Sequence, residues 1–384
     1  MRLCFVCCEY PPGPHGGTGT FTRTIARALV QAAHQVRVVG VYLPDYPAPD
    51  HEIDEGVEVW RLRQPLRAGG WISARRALYR LIRDWTKAGA VDVVEAPDHE
   101  GWFAGWPRLP VPVIQRAGGA YSYFAHELGQ KISRLLFQLE KSSYQRANAW
   151  AAKSIYTGEV TARLFGLNSP NAILYNPVSI PGSVPSFENR SHNDVVFTGT
   201  LAAKKGVISL IDAWPLVRRQ NSRAELHLYG KDTRKSEGES METFLRQRLP
   251  AEHRSSVHFH GHVDRERLIE VLSQAGVAVF PSMSEGFAWG PLEAMASGCP
   301  TIYTQFGSGP ELIENEDSGL LIDPQQPKQI AIAITRVLDD QPLARLLGDR
   351  GRRQVENNFS LEKLLPLNLA FYSELSKSHR ASLN

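Results

Sequence analysis

Two successive series of short apolar segments constrain the fold of this chain more than any other feature. In each series, apolar and β-branched runs alternate with longer stretches of helical periodicity. Continuously apolar strands that alternate with helices indicate parallel sheets with both faces covered. We predict strands at 2–8, 35–42, 91–95, 111–115 and 148–153, and then at 194–199, 224–229, 256–260, 276–280 and 299–303.

The two series predict two doubly wound, Rossmann-like α/β domains, because 384 residues are too many for one small core. The stretch PVSIPGSVPSFENRSHN, which starts at Pro177, contains three prolines and is typical of a connection between domains. The predicted domains face each other across a cleft at the carboxyl ends of their strands, where open α/β sheets bind ligands. We expect a first domain over 1–180, a linker over 181–193, a second domain over 194–360, and a C-terminal helix over 361–384 that packs back towards the first domain.

Composition and cysteine usage indicate an ordinary cytoplasmic protein. The apolar run LCFVCC near the start is far too short to span a bilayer and lacks the flanks of a signal peptide. Cys4, Cys7 and Cys8 share this run, while Cys299 stands alone. No second ligand pair follows the Cys4-x-x-Cys7 spacing, so we interpret these cysteines as buried strand residues.

A glycine-rich loop follows the first predicted strand, in the sequence EYPPGPHGGTGTF. Gly16, Gly17 and Gly19 lead into a helix, and exposed N–H groups at a helix start favour phosphate. The pattern G-x-G-x-x-G fails, because Thr22 occupies the third glycine position, and no acidic residue closely follows the second strand. We therefore expect neither a nicotinamide nor a flavin cofactor. A tight strand–helix turn without a ligand is the alternative interpretation.

The second predicted domain opens with VVFTGTLAAKKG, which places two lysines just before a helix. Lys204 and Lys205 could reach a phosphate as point charges, although a solvated surface position is the alternative.

The stretch SEGFAWGPLEAMASG carries two glutamates eight positions apart. We predict that Gly290 caps a helix with Pro291 at its first position, so that Glu293 lies in the first turn and complements the helix dipole. The helix is expected to end at Gly298. Glu285 lies in the preceding loop, at the carboxyl end of a strand. A carboxylate beside backbone N–H donors suits a polyhydroxylated ligand.

These motifs resemble the family 4 retaining glycosyltransferases of the GT-B fold. The resemblance rests on GGTG, NPV at 176–178, GTLAAKKG, LYG, FHGHV and EGF…LEAMASGCP, and it spans nearly the whole chain. It implies transfer of a sugar from a nucleotide-diphosphate sugar to a glycan, lipid-linked or small-molecule acceptor. It also implies no divalent metal, no cofactor apart from the sugar donor and no nucleic-acid partner, and the sequence contains no D-x-D motif.

The same resemblance assigns roles to individual residues. Glu285 would lie beside the hydroxyls of the donor sugar, and Glu293 would hold the ribose hydroxyls. Lys205 would meet the diphosphate and support its departure. The backbone of Gly17 would approach the phosphate and the sugar, and the backbone near Val263 would meet the base. The amides that meet the sugar would be those of Gly286, Phe287 and Ala288.

Three positions depart from the family pattern, and the mildest is Ala288, where the family has a second glycine after the first glutamate. Thr200 stands where the family usually has an arginine, so Lys204 or an arginine of the first domain would have to supply the missing charge. Gly118 stands where many members have a histidine near the sugar. The residues expected to fill that space, or to contact the acceptor, are Arg116, Tyr121 and His126.

The expected mechanism is front-face transfer with retention, in which the leaving diphosphate takes the proton of the acceptor. Lys205, helix N-termini and backbone donors would neutralise the charge of the leaving group. A glycosidase pair of carboxylates is disfavoured, because helix geometry directs Glu293 towards the nucleotide. Two alternatives stay open: a catalytically degenerate GT-B protein that binds a nucleotide sugar, and a nucleotide-sugar epimerase on the same fold.

Residues 71–87, WISARRALYRLIRDWTK, predict a basic amphipathic helix. Such helices can lie on anionic membranes, and a solvated face of a domain helix is the alternative. Residues 1–180 contain 20 basic and 15 acidic side chains, a net charge of +5. Peripheral contact with the inner face of a membrane would favour a lipid-linked acceptor. The predicted apolar face comprises Trp71, Ala74, Leu78, Leu81, Ile82 and Trp85, and the basic face Arg76, Arg80, Arg83 and Lys87.

Overall fold

A computed structural model describes residues 1–235 and 238–383. The chain divides into two compact units, one comprising Met1–Pro177 with Leu361–Asn384 and the other comprising Val178–Ser360. The helix that ends the chain therefore belongs to the first unit, although it follows the second unit in sequence. Residue 384, the last of the segment predicted as a C-terminal helix, lies outside the described residues.

The strands of the first unit form one twisted sheet. Within the described chain they are β1 (Arg2–Val6), β2 (Gln35–Tyr42), β3 (His51–Asp54), β4 (Val57–Arg63), β5 (Val93–Pro97), β6 (Val113–Ala117), β7 (Ala149–Ala152) and β8 (Ala172–Ile173). Their order in the sheet is β3-β4-β2-β1-β5-β6-β7-β8. All neighbouring pairs are parallel except β3 and β4.

The second unit contains an entirely parallel sheet. Its described strands are β9 (Ser191–Thr198), β10 (Glu225–Tyr229), β11 (Val257–Gly261), β12 (Ala275–Phe280), β13 (Thr301–Thr304) and β14 (Leu320–Ile322). The order is β11-β10-β9-β12-β13-β14. Both sheets thus have the α/β organisation that the alternating apolar runs predict, and every predicted strand is present within three residues of its predicted bounds.

Helices connect the parallel strands, and a helix ends the chain. They are α1 (Gly17–Gln31), α2 (Gly70–Lys87), α3 (Tyr121–Glu127), α4 (Arg134–Arg146), α5 (Ile155–Phe165), α6 (Val207–Gln220), α7 (Met241–Arg248), α8 (Arg265–Gln274), α9 (Trp289–Ala296), α10 (Gly309–Leu312), α11 (Pro327–Asp339), α12 (Gln341–Asn358) and α13 (Leu361–Leu383). Among the described residues, no helix combines the length and the apolar character needed to cross a membrane.

The β3–β4 hairpin was not predicted, because its sequence lacks a continuous apolar run. Residues 51–63 alternate charged and apolar side chains, which is the pattern of strands with one solvated face at the edge of a sheet. The turn places Glu55 at φ 48° and Gly56 at φ 86°. Two positive φ angles are typical of the tight type I′ turn that joins antiparallel strands. The short strands β8 and β14 were also missed.

The segment 181–193, predicted as a linker, is included in the second unit. Its last residues already belong to β9, and Arg190 is buried. The Arg190 guanidinium donates to the carbonyl oxygens of Leu272 (3.1 Å) and Ser297 (2.8 Å). A buried arginine whose two Nη atoms donate to backbone carbonyl oxygens ties this segment to the core, a role that proline content alone does not reveal.

Helix α13 is joined to the first sheet by a buried polar network. Arg116 on β6 donates to Glu95 on β5 through Nε (3.0 Å) and Nη2 (2.8 Å), and also to Asn368 (2.9 Å) and Tyr372 (3.0 Å) on α13. The Tyr372 hydroxyl in turn donates to Glu95 (2.9 Å). Because the buried ions are paired and hydrogen-bonded, the network stabilises one placement of the helix.

Replacing Tyr372 with phenylalanine should weaken this network. We expect Tyr372→Phe to lower the free energy of unfolding by about 1–2 kcal/mol, because a buried hydrogen-bonded hydroxyl is lost beside two ions. Urea denaturation followed by circular dichroism measures the change. Tyr121→Phe, at a half-exposed ring (52% exposed), is the matched control and should have no effect. Equal stability of both variants would contradict the role of the network.

Candidate functional site

The second unit places its first strand, β9, in the middle of the sheet. Its neighbours β10 and β12 continue the sheet in opposite directions. The connections that follow β9 and β12 therefore leave the same carboxyl edge and diverge, which creates the crevice where open α/β sheets bind ligands. Lys204 and Lys205 lie in the first of these connections, and Glu285 lies in the second.

Lys205 and Glu285 form the centre of this crevice. The ammonium group of Lys205 donates to Oε1 of Glu285 at 2.5 Å, and the Ser282 hydroxyl donates to the same oxygen at 2.9 Å. Glu285 is buried, whereas Lys205 is partly exposed. Sequence reasoning proposed both residues for the site but did not foresee their ion pair, which depends on the adjacency of β9 and β12.

Backbone contacts hold the two connections together. The Met283 N–H donates to the carbonyl oxygen of Lys204 at 2.8 Å. Gly206 has a φ of 73°, and a Cβ there would overlap the carbonyl oxygen of Pro281. Only glycine permits this close approach, so Gly206 sets the position of the lysines. Burial lowers the pKa of the Lys204 ammonium and the neighbouring Lys205 charge lowers it further, while Glu285 opposes both effects.

The helix that carries Glu293 starts earlier than predicted. Ala288, not Gly290, is the capping residue, so Pro291 is the third helical residue and Glu293 lies in the second turn. Gly290 lies inside the helix, and a Cβ at this position would come within 2.6 Å of the Phe280 ring. The close Phe280 ring, rather than a capping conformation, therefore explains why residue 290 is a glycine. Gly298, at φ 65°, ends the helix as predicted.

Glu293 is held by an arginine that sequence reasoning missed. Nε of Arg265, the first residue of α8, donates to Oε1 of Glu293 at 2.9 Å. The Arg265 guanidinium also lies 5.5 Å from the ring centroid of Trp289. Burial raises the pKa of Glu293, and Arg265 counteracts part of that rise. The capping aspartate before α8 could have located the helix start, but the contact with Glu293 is tertiary.

The other donor-side positions border the same edge of the second sheet. Thr200 is exposed in the connection after β9, and Val263 is half-buried in the connection from β11 to α8. The segment from Gly286 to Ala288 is buried at the start of α9, and the Phe287 ring packs against Phe359 at 5.4 Å.

The first unit collects its own functional candidates at the carboxyl edge of β1, β5, β6 and β7. Gly17 is the exposed first residue of α1. The N–H groups of Gly16 (3.0 Å) and Gly19 (2.8 Å) donate to the Glu9 carboxylate. The N–H groups at the helix start are therefore hydrogen-bonded to a carboxylate of the same unit, whereas the sequence predicted that they are exposed. Thr22 lies inside the helix and donates to the carbonyl oxygen of Thr18 at 2.9 Å.

Gly118 leaves space that a lysine occupies. A Cβ at Gly118 would lie 3.0–3.1 Å from Cδ, Cε and Nζ of Lys153, the residue that follows β7. Lys153 is 7% exposed, and its Nζ lies 4.5 Å from the ring centroid of Phe21. Burial lowers the pKa of Lys153 to about 8. Sequence reasoning missed this residue, because nothing in AAKSIYTGEV marks the lysine as buried.

A buried carboxyl group lies close to the same edge. Asp98 accepts a hydrogen bond from the Gly119 N–H at 3.2 Å and from the Tyr144 hydroxyl at 3.3 Å. Burial raises the pKa of Asp98.

The three residues proposed to contact the sugar or acceptor have different surroundings. The prediction that Arg116 contacts the sugar or the acceptor is wrong. Its guanidinium is buried within the first unit, where it donates to Glu95 and to Tyr372 on α13. Tyr121 opens α3 with an exposed ring, 6.1 Å from the ring of His99 in an edge-to-face arrangement. His126 is exposed near the end of the same helix.

Comparisons with known proteins cover both units. Residues 15–180 match the family described as Glycosyltransferase Family 4, and residues 184–354 match the family described as Glycosyl transferases group 1. The glycogen synthase of Mycobacterium tuberculosis is 25% identical over 408 residues, covering 99% of this chain and 96% of the relative.

Solved structures show the same fold. Sucrose-phosphate synthase from Thermosynechococcus elongatus has a TM-score of 0.81 and 21% identity, covering 98% of this chain and 99% of that one. Anabaena HepE, solved in complex with UDP and glucose, has a TM-score of 0.75 and 14% identity, covering 97% and 99%. With two parallel-sheet α/β units and family matches along both of them, the chain belongs to the family 4 glycosyltransferases of the GT-B fold.

Proposed function

We propose that this glycosyltransferase moves a hexose from a nucleotide-diphosphate sugar to an acceptor hydroxyl with retention of anomeric configuration. The contact between Lys205 and Glu285 carries the proposal. It joins a cation that suits a diphosphate and a carboxylate that suits sugar hydroxyls at the crevice between β9 and β12. A hexose is favoured by the glycogen synthase relative and by HepE, whose solved complex contains UDP and glucose.

The ion pair satisfies both charged groups within the protein. A buried carboxylate is costly unless it is paired, and Lys205 supplies that partner at 2.5 Å. When the donor binds, its diphosphate offers Lys205 a new anion, and the sugar hydroxyls donate to Glu285. In this proposal the diphosphate replaces Glu285 as the partner of Lys205, and the sugar hydroxyls replace Lys205 as the partners of Glu285. Arg265 positions Glu293 for the ribose hydroxyls in the same way.

The chemical step requires stabilisation of the leaving group. The bond between the anomeric carbon and the β-phosphate oxygen breaks, and the acceptor oxygen bonds to the same face of that carbon. The acceptor proton passes to the departing phosphate oxygen. Negative charge on the diphosphate rises as the bond breaks, so the ammonium groups of Lys205 and Lys204 stabilise the transition state more than the ground state.

The surface of α2 supports a peripheral contact with an anionic membrane. Its buried residues are Gly70, Ala74, Leu78, Ile82 and Thr86, so Trp71, which was predicted on the apolar face, is not among the residues that this helix buries. Trp71 (43% exposed) and Ile72 (41%) lie at the exposed start of the helix, and Leu66 (80%) precedes it. Exposed apolar side chains beside Arg76 and Arg80 suit an interface of lipid headgroups.

Removing either member of the central ion pair should abolish most of the transfer. We expect Glu285→Ala and Lys205→Met each to lower kcat about 10²–10³-fold, since each removes a group that stabilises the transition state. The assay measures nucleotide release from UDP-, GDP- and ADP-hexoses with an added glycan or lipid acceptor. Glu252→Ala and Lys328→Met, at exposed positions of the same unit, are the matched controls.

Undiminished transfer by Glu285→Ala would reject this assignment. Products of the wild-type protein separate the alternatives. Free sugar released from the donor without an acceptor identifies an epimerase, and binding of a nucleotide sugar without turnover identifies a degenerate binding protein.

The proposal places the neutralising charges on the protein. We therefore expect EDTA to leave the transfer rate unchanged, because lysines rather than a divalent ion compensate the diphosphate. Initial rates in EDTA and in added Mg²⁺ provide the measurement. Loss of activity in EDTA with recovery in Mg²⁺ would contradict it.

Binding to acidic vesicles tests the membrane proposal. We expect the protein to sediment with vesicles of phosphatidylglycerol and phosphatidylcholine at low salt, and less so at high salt, because the attraction is screened. A variant with serine at Leu66, Trp71 and Ile72 should stay in the supernatant, whereas serine at exposed Leu367 should not matter. Wild-type protein that does not sediment would overturn the proposal.

A further inference from the structure

Lys153 is a buried cation that the mechanism above does not use. It follows β7 at the carboxyl edge of the first sheet, beside the space that Gly118 leaves. We propose that Lys153 is a substrate-binding residue, whose ammonium group takes an oxyanion of a substrate at this edge. The inference rests on the proposed function, which supplies two sources of such a group: the donor diphosphate and an acidic acceptor.

The position of Lys153 results from close packing. Its side chain is 7% exposed and lies against the Phe21 ring, with Nζ 4.5 Å from the centroid. Any side chain at Gly118 would come within 3.0–3.1 Å of its last three atoms. The lysine therefore cannot swing aside towards β6 without meeting the backbone, and the ammonium group is held at this edge.

The carboxylates nearest to Lys153 are committed to other groups. Glu9 accepts from two N–H groups at the start of α1, Glu95 pairs with Arg116, and Asp98 accepts from backbone and tyrosine donors. Within residues 1–235 and 238–383, none of them lies within ion-pair distance of the ammonium group. A buried cation without an ion pair is costly, and these carboxylates do not remove that cost by direct contact.

The charges around Lys153 are of both signs. Burial and the Arg116 charge lower its pKa to about 8, although Asp98, Glu95 and Glu9 act in the opposite direction. An oxyanion would supply an ion-pair partner, and lysine commonly binds phosphate as a point charge.

A second feature also favours an anion here. Lys153 borders a small cavity together with Thr18, which lies in the first turn of α1. The positive end of a helix dipole favours negative charge. Glu9 shows that this helix start accommodates a carboxylate, with two N–H groups donating to it. A substrate oxyanion beside Thr18 and Lys153 would lie near that helix start, in a cavity that Glu95 and Arg116 also line.

Titration calorimetry with inorganic pyrophosphate tests the shared chemistry. We expect Lys153→Met to weaken pyrophosphate binding at least about tenfold, the value of a charged hydrogen bond. Lys131→Met, at an exposed lysine of the same unit, should bind as the wild type does. Thermal unfolding shows that the variants fold, and Lys153→Met should melt at a higher temperature because a buried unpaired charge is removed. Equal affinity in Lys153→Met and wild type, or no binding to either, overturns the proposal.

The pH dependence separates a binding role from a structural one. Lys153 is charged below its pKa of about 8, so wild-type affinity should fall as pH rises above that value. Lys153→Arg stays charged, and its affinity should not show this fall. The ratio of the two affinities cancels the ionisation of pyrophosphate itself. A ratio that stays constant between pH 7 and about pH 9.5 would reject the role, even if Lys153→Met binds weakly.

Two further titrations identify the source of the oxyanion. A tenfold loss for UDP but not for uridine in Lys153→Met assigns the donor diphosphate, and a loss for glucose 6-phosphate but not for glucose assigns an acidic acceptor. If neither loss occurs, no substrate oxyanion binds at Lys153 and the proposal fails. Absence of binding and turnover of every sugar nucleotide by the wild-type protein would reject the proposed function instead, independently of the pyrophosphate result.

Discussion

Parallel pairing of β9 with both β10 and β12 is the constraint on which the candidate site of the second unit depends. Parallel strands need crossover connections, so the segments after β9 and β12 leave one edge and meet there. Lys205 and Glu285 are 80 residues apart in sequence, yet this pairing brings them into contact. Gly206 completes the arrangement, because only a residue without a Cβ lets the two connections touch.

Both units use buried charges, but they satisfy them differently. In the second unit, Glu285 and Glu293 each have a cationic partner, Lys205 and Arg265. In the first unit, Arg116 is fully occupied and stabilises α13, whereas Lys153 has no ion pair within the described chain. Arg116 therefore supports the fold, whereas Lys153 is the residue at which we propose that a ligand binds.

Much of the fold was predictable because continuous apolar runs are required wherever a strand is covered on both faces. The β3–β4 hairpin was not predicted, because edge strands with one solvent-exposed face alternate charged and apolar side chains instead of forming an apolar run. Local motifs and the family resemblance singled out Glu285, Glu293 and Lys205 as candidates, and the structure brings Lys205 and Glu285 into contact. The cap of α9 was not predictable, because Gly290 is small for contact with Phe280 rather than for a turn. Helix-capping rules could not distinguish a glycine required by a turn from a glycine required by close packing.

The sequence by itself determined the class of the molecule: two α/β units, a glycine-rich helix start, a lysine pair before α6 and two glutamates around the start of α9. These features depend on neighbours in the chain, which periodicity and turn chemistry report. Only the tertiary structure decided which charges meet. It paired Glu293 with Arg265, buried Arg116 under α13, placed Glu9 on the start of α1 and set Lys153 against Gly118. The physical reason is that burial and electrostatic pairing depend on distance in space, which strand order sets and local sequence does not.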